Sequence, residues 1–218
     1  MRKEQLTNDY TLWVDEGCTF GTDALLLAAF AGVKCTDRVC DLGTGCGILP
    51  FLWQTAEGGP VVDAVEREPH ACDLLRRSVC ENGLQDRIAV HEQSWCDLTL
   101  PCGVYDRVTC NPPYFPQGSG KQSPDAARRL ARTEQGDTLA QVTAAAARLL
   151  KNGGRFVLCH RPERLVDALT ALRAQGLEPK RMQWVHHRVD KEPFLWLCEA
   201  IKGGKPSLTV LPPIIIKE

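Results

Sequence analysis

From residue 38 onward, short apolar runs alternate with stretches that carry helix signals. That alternation is the strongest constraint on the fold. Strand then helix, repeated, requires a mostly parallel sheet with helices on both faces. Strands are expected at 38–43 (RVCDLG), 60–66 (PVVDAVE), 87–92 (RIAVHE), 105–110 (YDRVTC) and 155–160 (RFVLCH). Helices are expected at 46–56, at 69–83 with Pro69 at its start and Asn82-Gly83 at its end, at 137–154 and at 162–176. The runs RMQWVHHR and FLWLCEAIKGG read as an antiparallel pair that ends the sheet. The expectation is seven strands with the last antiparallel, in one domain over 1–218. Upstream, 21–32 (GTDALLLAAFAG) reads as a short helix capped by Thr22 or Asp23.

Composition excludes several classes. With 44% hydrophobic and 24% charged residues the chain reads as an ordinary soluble globular protein. Its longest apolar runs, such as Ala24–Phe30, fall far short of the roughly 20 residues of a membrane helix. The start, MRKEQLTNDY, has a basic pair with no apolar core behind it, so no signal peptide and a cytoplasmic location are expected. The eleven cysteines are odd in number and form no C-x-x-C pair. They read as small buried apolar residues, not as a disulfide framework or a zinc site, and no metal is expected. A net charge of −1 requires that any nucleic-acid contact rest on local basic patches. The absence of G-x-S-x-G, G-K-[ST] and H-E-x-x-H removes support for hydrolase, P-loop and zincin chemistry.

In open α/β sheets, ligands bind at the carboxyl ends of strands near the point where strand order reverses. Three strand ends qualify: Asp41–Gly47, Glu66 and Asn111–Tyr114. In DLGTGCG, Gly43, Gly45 and Gly47 allow backbone to approach a bound nucleotide closely, with Asp41 just before the turn. Glu66 lies 19 residues after Gly47, about where an acid meets ribose hydroxyls in dinucleotide folds. Two cofactors compete. NAD needs a free helix N-terminus for its pyrophosphate, whereas S-adenosyl-L-methionine has no phosphate and needs close backbone and an acid for its ribose. G-x-G-x-G in place of G-x-G-x-x-G favours S-adenosyl-L-methionine over NAD and over a merely structural turn.

NPPY follows the strand that ends at Cys110. Pro112 and Pro113 fix two successive φ angles and force the residue before each into extended backbone. The side-chain oxygen of Asn111 and a rigid backbone carbonyl can then accept both hydrogens of one planar amino group. Holding that nitrogen toward an electrophile is catalysis by positioning. Tyr114 supplies a face for a planar base or amide. An isolated Asn-Pro-Pro is more often an ordinary turn. A strand end downstream of a glycine loop favours the catalytic reading.

The segment 111–136 is long for a loop inside a compact domain, and such loops are usually functional. Within it, Lys121, Arg128, Arg129 and Arg132 outnumber the acids and suit phosphate contacts, or form a solvated helix face. A second basic and aromatic stretch, PKRMQWVHHRVDK (179–191), suits nucleic acid or a sheet surface equally.

A glycine loop paired with NPPY resembles S-adenosylmethionine-dependent methyltransferases of amino nitrogens, whether adenine-N6 in DNA and RNA or glutamine-N5 in release factors. FGTDALLLAAF, NPPYFPQGSG leading to RRLARTE, LEPKRMQWVHHR and KPSLTVLPPIIIKE together are similar to the bacterial tRNA1(Val) adenine-N6 methyltransferases, which act at tRNA position 37. The resemblance runs from about Asp15 to the end. It implies a Rossmann-like class I methyltransferase fold, monomeric or weakly dimeric, with tRNA as partner. It implies catalysis by Asn111, Pro112, Pro113 and Tyr114. Cofactor contacts are implied at Asp41, Gly43, Gly45, Gly47 and Glu66, with Thr22 and Asp23 closing over the methionine end as part of a cap formed by 1–33. Relatives often carry an acid after the third strand, beside the cofactor adenine. The matching position here is Ser94, with Asp97 three residues on.

Overall fold

Successive residues along the central strands face opposite layers, and that alternation builds two cores around one sheet. The computed structural model describes residues 1–7, 9–112, 115–116, 133–134 and 139–216. Two short N-terminal strands, β1 (Arg2–Gln5) and β2 (Thr11–Val14), precede the helix α1 (Thr22–Ala31). Then come β3 (Arg38–Leu42), α2 (Ile48–Leu52), β4 (Val61–Glu66), α3 (Pro69–Glu81), β5 (Ile88–Glu92) and β6 (Tyr105–Cys110). The two-residue strands β7 (Phe115–Pro116) and β8 (Thr133–Glu134) pair with each other. The chain continues as α4 (Leu139–Leu149), β9 (Leu150–His160), α5 (Leu165–Ala174), β10 (Leu177–His186), β11 (Leu195–Lys202), β12 (Thr209–Val210) and β13 (Ile214–Ile215).

Seven main strands lie in the order β10-β11-β9-β6-β3-β4-β5. Those from β9 to β5 are mutually parallel, and β11 runs antiparallel to both of its neighbours. Leu195 and Leu197 of β11 pack with Val157 and Cys159 of β9 and with α1, α2 and α3. Trp196, Cys198, Phe156 and Leu158 pack on the other face with α4 and α5. After β5 the chain returns to the far side of β3 as β6. Strand order therefore reverses between β3 and β6, which places a ligand crevice at their carboxyl ends.

Several sequence expectations change on folding. The sheet has nine strands because β12 and β13 pair with the outer edge of β10. A free strand edge exposes unpaired amides and carbonyls, and these two short strands cover part of it. The helix expected over 46–56 shrinks to the five residues of α2, since Gly45 and Gly47 have positive φ and Thr55 already pairs with Gly58 in a turn. The helix expected to 154 ends at Leu149, because Leu150 is already paired with Tyr105. For α1 the cap residue is Gly21, in extended backbone, with no side-chain capping bond. Asp23 Oδ1 accepts instead from the next amide, Ala24, at 3.0 Å. The β1–β2 hairpin had no sequence signal. It is tied to α3 by Asn82, which exchanges bonds with Thr11, and by Ser78 Oγ, which accepts from the Trp13 amide. Seven cysteines are buried as expected, whereas Cys35, Cys80, Cys96 and Cys102 are exposed. No helix among the described residues is long and apolar enough to cross a membrane.

Candidate active site

The carboxyl ends of β3, β4 and β6 open on a cavity of about 450 Å³. Pockets of this size suit small ligands. The turn after β3 is shaped by its glycines. Gly43 and Gly45 have φ of 70° and 57°, a region costly for residues with a Cβ. A Cβ on Gly43 would sit 2.9 Å from the Trp95 ring, and one on Gly45 would meet nothing within 4 Å. The amides of Gly43 and Thr44 donate to the Val65 carbonyl at 2.9 and 3.0 Å, which fastens the turn to β4.

Glu66 closes β4 and is held by three backbone amides. Gly45 donates to Oε2 at 2.9 Å, and Arg67 and Glu68 donate to Oε1 at 2.8 and 3.0 Å. The carboxylate thus bridges the glycine turn and the start of α3, both of which line the cavity.

Asp41 lies beside Thr109 in the β3–β6 register, and the Thr109 hydroxyl donates to its Oδ1 at 2.5 Å. Among the described residues, its Oδ2 finds no protein donor. The Trp95 indole N–H, on the same cavity wall, finds no acceptor among the described residues. Burial raises the Asp41 carboxyl to about 6, against the pull of the Thr109 and Thr44 hydroxyls. A carboxyl whose folded value is raised favours folding fully below its unfolded value of 3.8, and that contribution is lost as pH rises through about 6. At neutral pH the buried charge therefore costs about 3 kcal/mol. Asp41→Asn is expected to raise the melting temperature of the cofactor-free protein by several degrees at pH 7.5. The advantage should shrink steadily between pH 6.5 and 4.5 in thermal denaturation.

Asn111, just past β6, is oriented at both ends of its amide. Its Nδ2 donates to Asp23 Oδ2 at 3.2 Å, and the Cys159 thiol donates to its Oδ1 at 3.1 Å. A carboxylate can only accept, so the pair of contacts fixes which way the amide faces. Asp23 comes from α1, and Cys159 from β9, the strand next to β6. The N-terminal segment is docked further by the Cys18 thiol, whose bond with the Cys46 thiol of the glycine turn lowers the Cys18 pKa.

The fold brings Asp23, Asp41, Gly43, Gly45, Glu66, Ser94 and Asn111 to this one cavity. Thr22, Gly47, Asp97 and Pro112 do not line it. Thr22 and Asp97 are exposed. Gly47 has a packing role, since at φ 83° a Cβ would lie 2.2 Å from a Leu75 methyl. Pro112 is buried. Pro113, Tyr114, Lys121, Arg128, Arg129 and Arg132 lie outside the described residues. Sequence reasoning missed Trp95 and Gln93 on the wall, and placed Glu16–Phe20 only within the broad cap of 1–33. It also missed Cys159, whose only sequence signal was its place at the end of a strand.

The sequence matches the methyltransferase small domain family over residues 5–172. The chain belongs to that family. Within this methyltransferase family it is similar to proteins named tRNA1(Val) (adenine(37)-N6)-methyltransferase. That of Parabacteroides distasonis is 28% identical over 202 residues, covering 91% of this chain and 84% of the relative. That of Tolumonas auensis is 31% identical over 200 residues, covering 91% and 81%. Among solved structures, a predicted O-methyltransferase from Agrobacterium tumefaciens superposes with a TM-score of 0.68 at 22% identity, covering 89% of this chain and 87% of that one. A geranyl diphosphate methyltransferase in complex with SAM superposes at 0.56 with 14% identity, covering 82% and 84%. These two likenesses establish the class I methyltransferase fold.

Proposed function

We propose that this methyltransferase transfers a methyl group from S-adenosyl-L-methionine to the exocyclic N6 of an adenine in tRNA, at position 37 of tRNA1(Val). The observation that carries the reading is Asn111, oriented by Asp23 and Cys159 on the wall of the same cavity that Gly45, Asp41 and Glu66 line. The relatives' names supply the substrate class.

The cavity fits that cofactor. Five carboxylates line it, from Glu16, Asp23, Asp41, Glu66 and Glu68, against Arg67 and His70. This field favours a cation and opposes a pyrophosphate. The helix after the glycine turn has only five residues and begins at a glycine in left-handed backbone, which gives a pyrophosphate no helix end to meet. Glu66 has the acceptor atoms for a ribose diol. Asp41 Oδ2, which finds no donor among the described residues, suits an ammonium. When bound, S-adenosyl-L-methionine supplies an electrophilic methyl group on its sulfonium.

The protein's part is placement. Asn111 Oδ1 accepts one hydrogen of the adenine amino group, while the Pro112 carbonyl accepts the other. Tyr114 stacks on the base. Residues 1–33 act as the cap over the cofactor and 111–136 as the substrate loop, where Lys121, Arg128, Arg129 and Arg132 contact phosphates. Ser94 and the neighbouring Trp95 flank the cofactor adenine.

The test offers labelled S-adenosyl-L-methionine with unmodified tRNA, ribosomal RNA, DNA and release factor in parallel, followed by digestion of the labelled product. N6-methyladenosine at position 37 of tRNA1(Val) is expected. Label in release-factor glutamine, or in ribosomal RNA or DNA alone, overturns the substrate assignment.

A further inference from the structure

The turn between β10 and β11 stands on the same edge of the sheet as Asn111. Both β9 and β10 run antiparallel to β11, so both end at the catalytic edge, as does β6. Contacts link the turn to the site. Phe194 accepts from the Arg161 guanidinium through its carbonyl at 3.0 Å. Arg161 in turn accepts from the Trp196 indole at 2.8 Å and lies two residues past Cys159, whose thiol meets Asn111. From β6 to β10 is three strand spacings, about 14 Å.

At this turn the rings of His187 and Phe194 are stacked, with centroids 4.0 Å apart and planes 10° from parallel. Phe194 is anchored: its amide donates to the Val185 carbonyl at 3.0 Å and its ring packs against the core. His186 Nδ1 donates to the Lys191 carbonyl at 2.7 Å and holds the turn closed. His187 is exposed. One face of its ring lies on Phe194, and among the described residues no hydrogen bond, ion pair or second ring meets it.

Charge does not explain this surface. Arg188 is paired with Asp190 at 2.9 Å, and Lys191 is followed by Glu192, so cations and carboxylates cancel. A phosphate gains little here. What the turn presents is a flat, pre-stacked π surface on a rigid base, which suits a nucleobase because every base has a π face.

We propose that the His187–Phe194 pair is a stacking subsite for a nucleobase of the RNA substrate that flanks the methylated adenine. The proposal rests on the RNA-methylating reading above. It assigns the second basic and aromatic stretch of the sequence to base contact and not to phosphate contact.

The test compares the parent protein, His187→Ala and His187→Tyr on unmodified tRNA1(Val) transcript. His187→Ala is expected to raise KM for tRNA about tenfold, the loss expected for one base–aromatic stack. The affinity for S-adenosyl-L-methionine, the melting temperature and the slope of tRNA binding against salt should stay as in the parent. His187→Tyr should restore KM, because its ring stacks without imidazole chemistry. An unchanged KM in His187→Ala, a failure of tyrosine to rescue, or a shallower salt slope in His187→Ala overturns the subsite. Failure of the parent itself to methylate any RNA overturns the RNA reading and the subsite with it. A normal parent with an unaffected alanine variant overturns the subsite alone.

Discussion

Asn111→Ala is expected to lower kcat for tRNA methylation at least about 100-fold, the scale of loss when a reacting group is no longer held in line. The affinity for S-adenosyl-L-methionine should stay within about twofold in calorimetry. The reason lies in the two contacts of the amide. Asp23 and Cys159 hold Asn111 at the cavity wall, at 3.2 and 3.1 Å. The glycine turn and Glu66 are tied to β4 and α3 by their own backbone bonds, none of which passes through Asn111. Removing the amide therefore removes the acceptor for the adenine amino group and leaves the cofactor's cradle standing. Loss of cofactor binding in the variant would instead make Asn111 a structural strut between α1 and β9, and the catalytic role would fall.

Glu66→Ala should produce the complementary result, with the affinity for S-adenosyl-L-methionine weakened about 100-fold. Two effects act together. A charged acceptor for two ribose hydroxyls is lost, each such bond contributing about 1.5–3 kcal/mol. The Gly45 amide also loses its partner at 2.9 Å, so the turn that approaches the cofactor is freed. Because 1.4 kcal/mol is a factor of ten, a loss of roughly 3 kcal/mol gives the stated fall. At saturating cofactor, kcat should recover to within a few-fold of the parent, since Asn111 is untouched. Cofactor affinity within threefold of the parent would remove Glu66 from the ribose site.

The two variants separate binding from chemistry, and the separation follows from strand order. Asp41 and Asn111 end neighbouring strands, β3 and β6, on the two sides of the point where the chain reverses its direction of crossing. Glu66 ends β4, on the other side of β3. The groups proposed to hold the cofactor thus gather at β3 and β4, and the group proposed to orient the amino nitrogen stands one strand over, on the same cavity.

Much of this was legible from local pattern. The strand–helix alternation gave the parallel sheet because buried strands must be apolar and continuous whatever their partners. DLGTGCG, Glu66 and Asn111 pointed to one cavity because positive φ and a carboxylate or amide at a strand end are properties of the residues themselves. Local pattern failed where a distant partner decides. The Thr22 and Asp23 caps were plausible locally, but Gly21 takes the position and Asp23 faces Asn111, 88 residues away. The helix over 46–56 was cut to five residues by the turn that Thr55 makes with Gly58. The β1–β2 hairpin owes its place to Ser78 of α3 and to Asn82 just past its end, far along the chain.

The sequence alone thus determined the reaction class, through residue types whose backbone and hydrogen-bonding properties travel with them. Only the tertiary structure decided that Asp23 and Cys159 aim Asn111, that Asp41 is buried enough to titrate near 6, and that His187 lies on Phe194 at the catalytic edge. Each of these is a contact or a desolvation between residues remote in sequence. Its free energy depends on distance and burial, which no single stretch of chain contains.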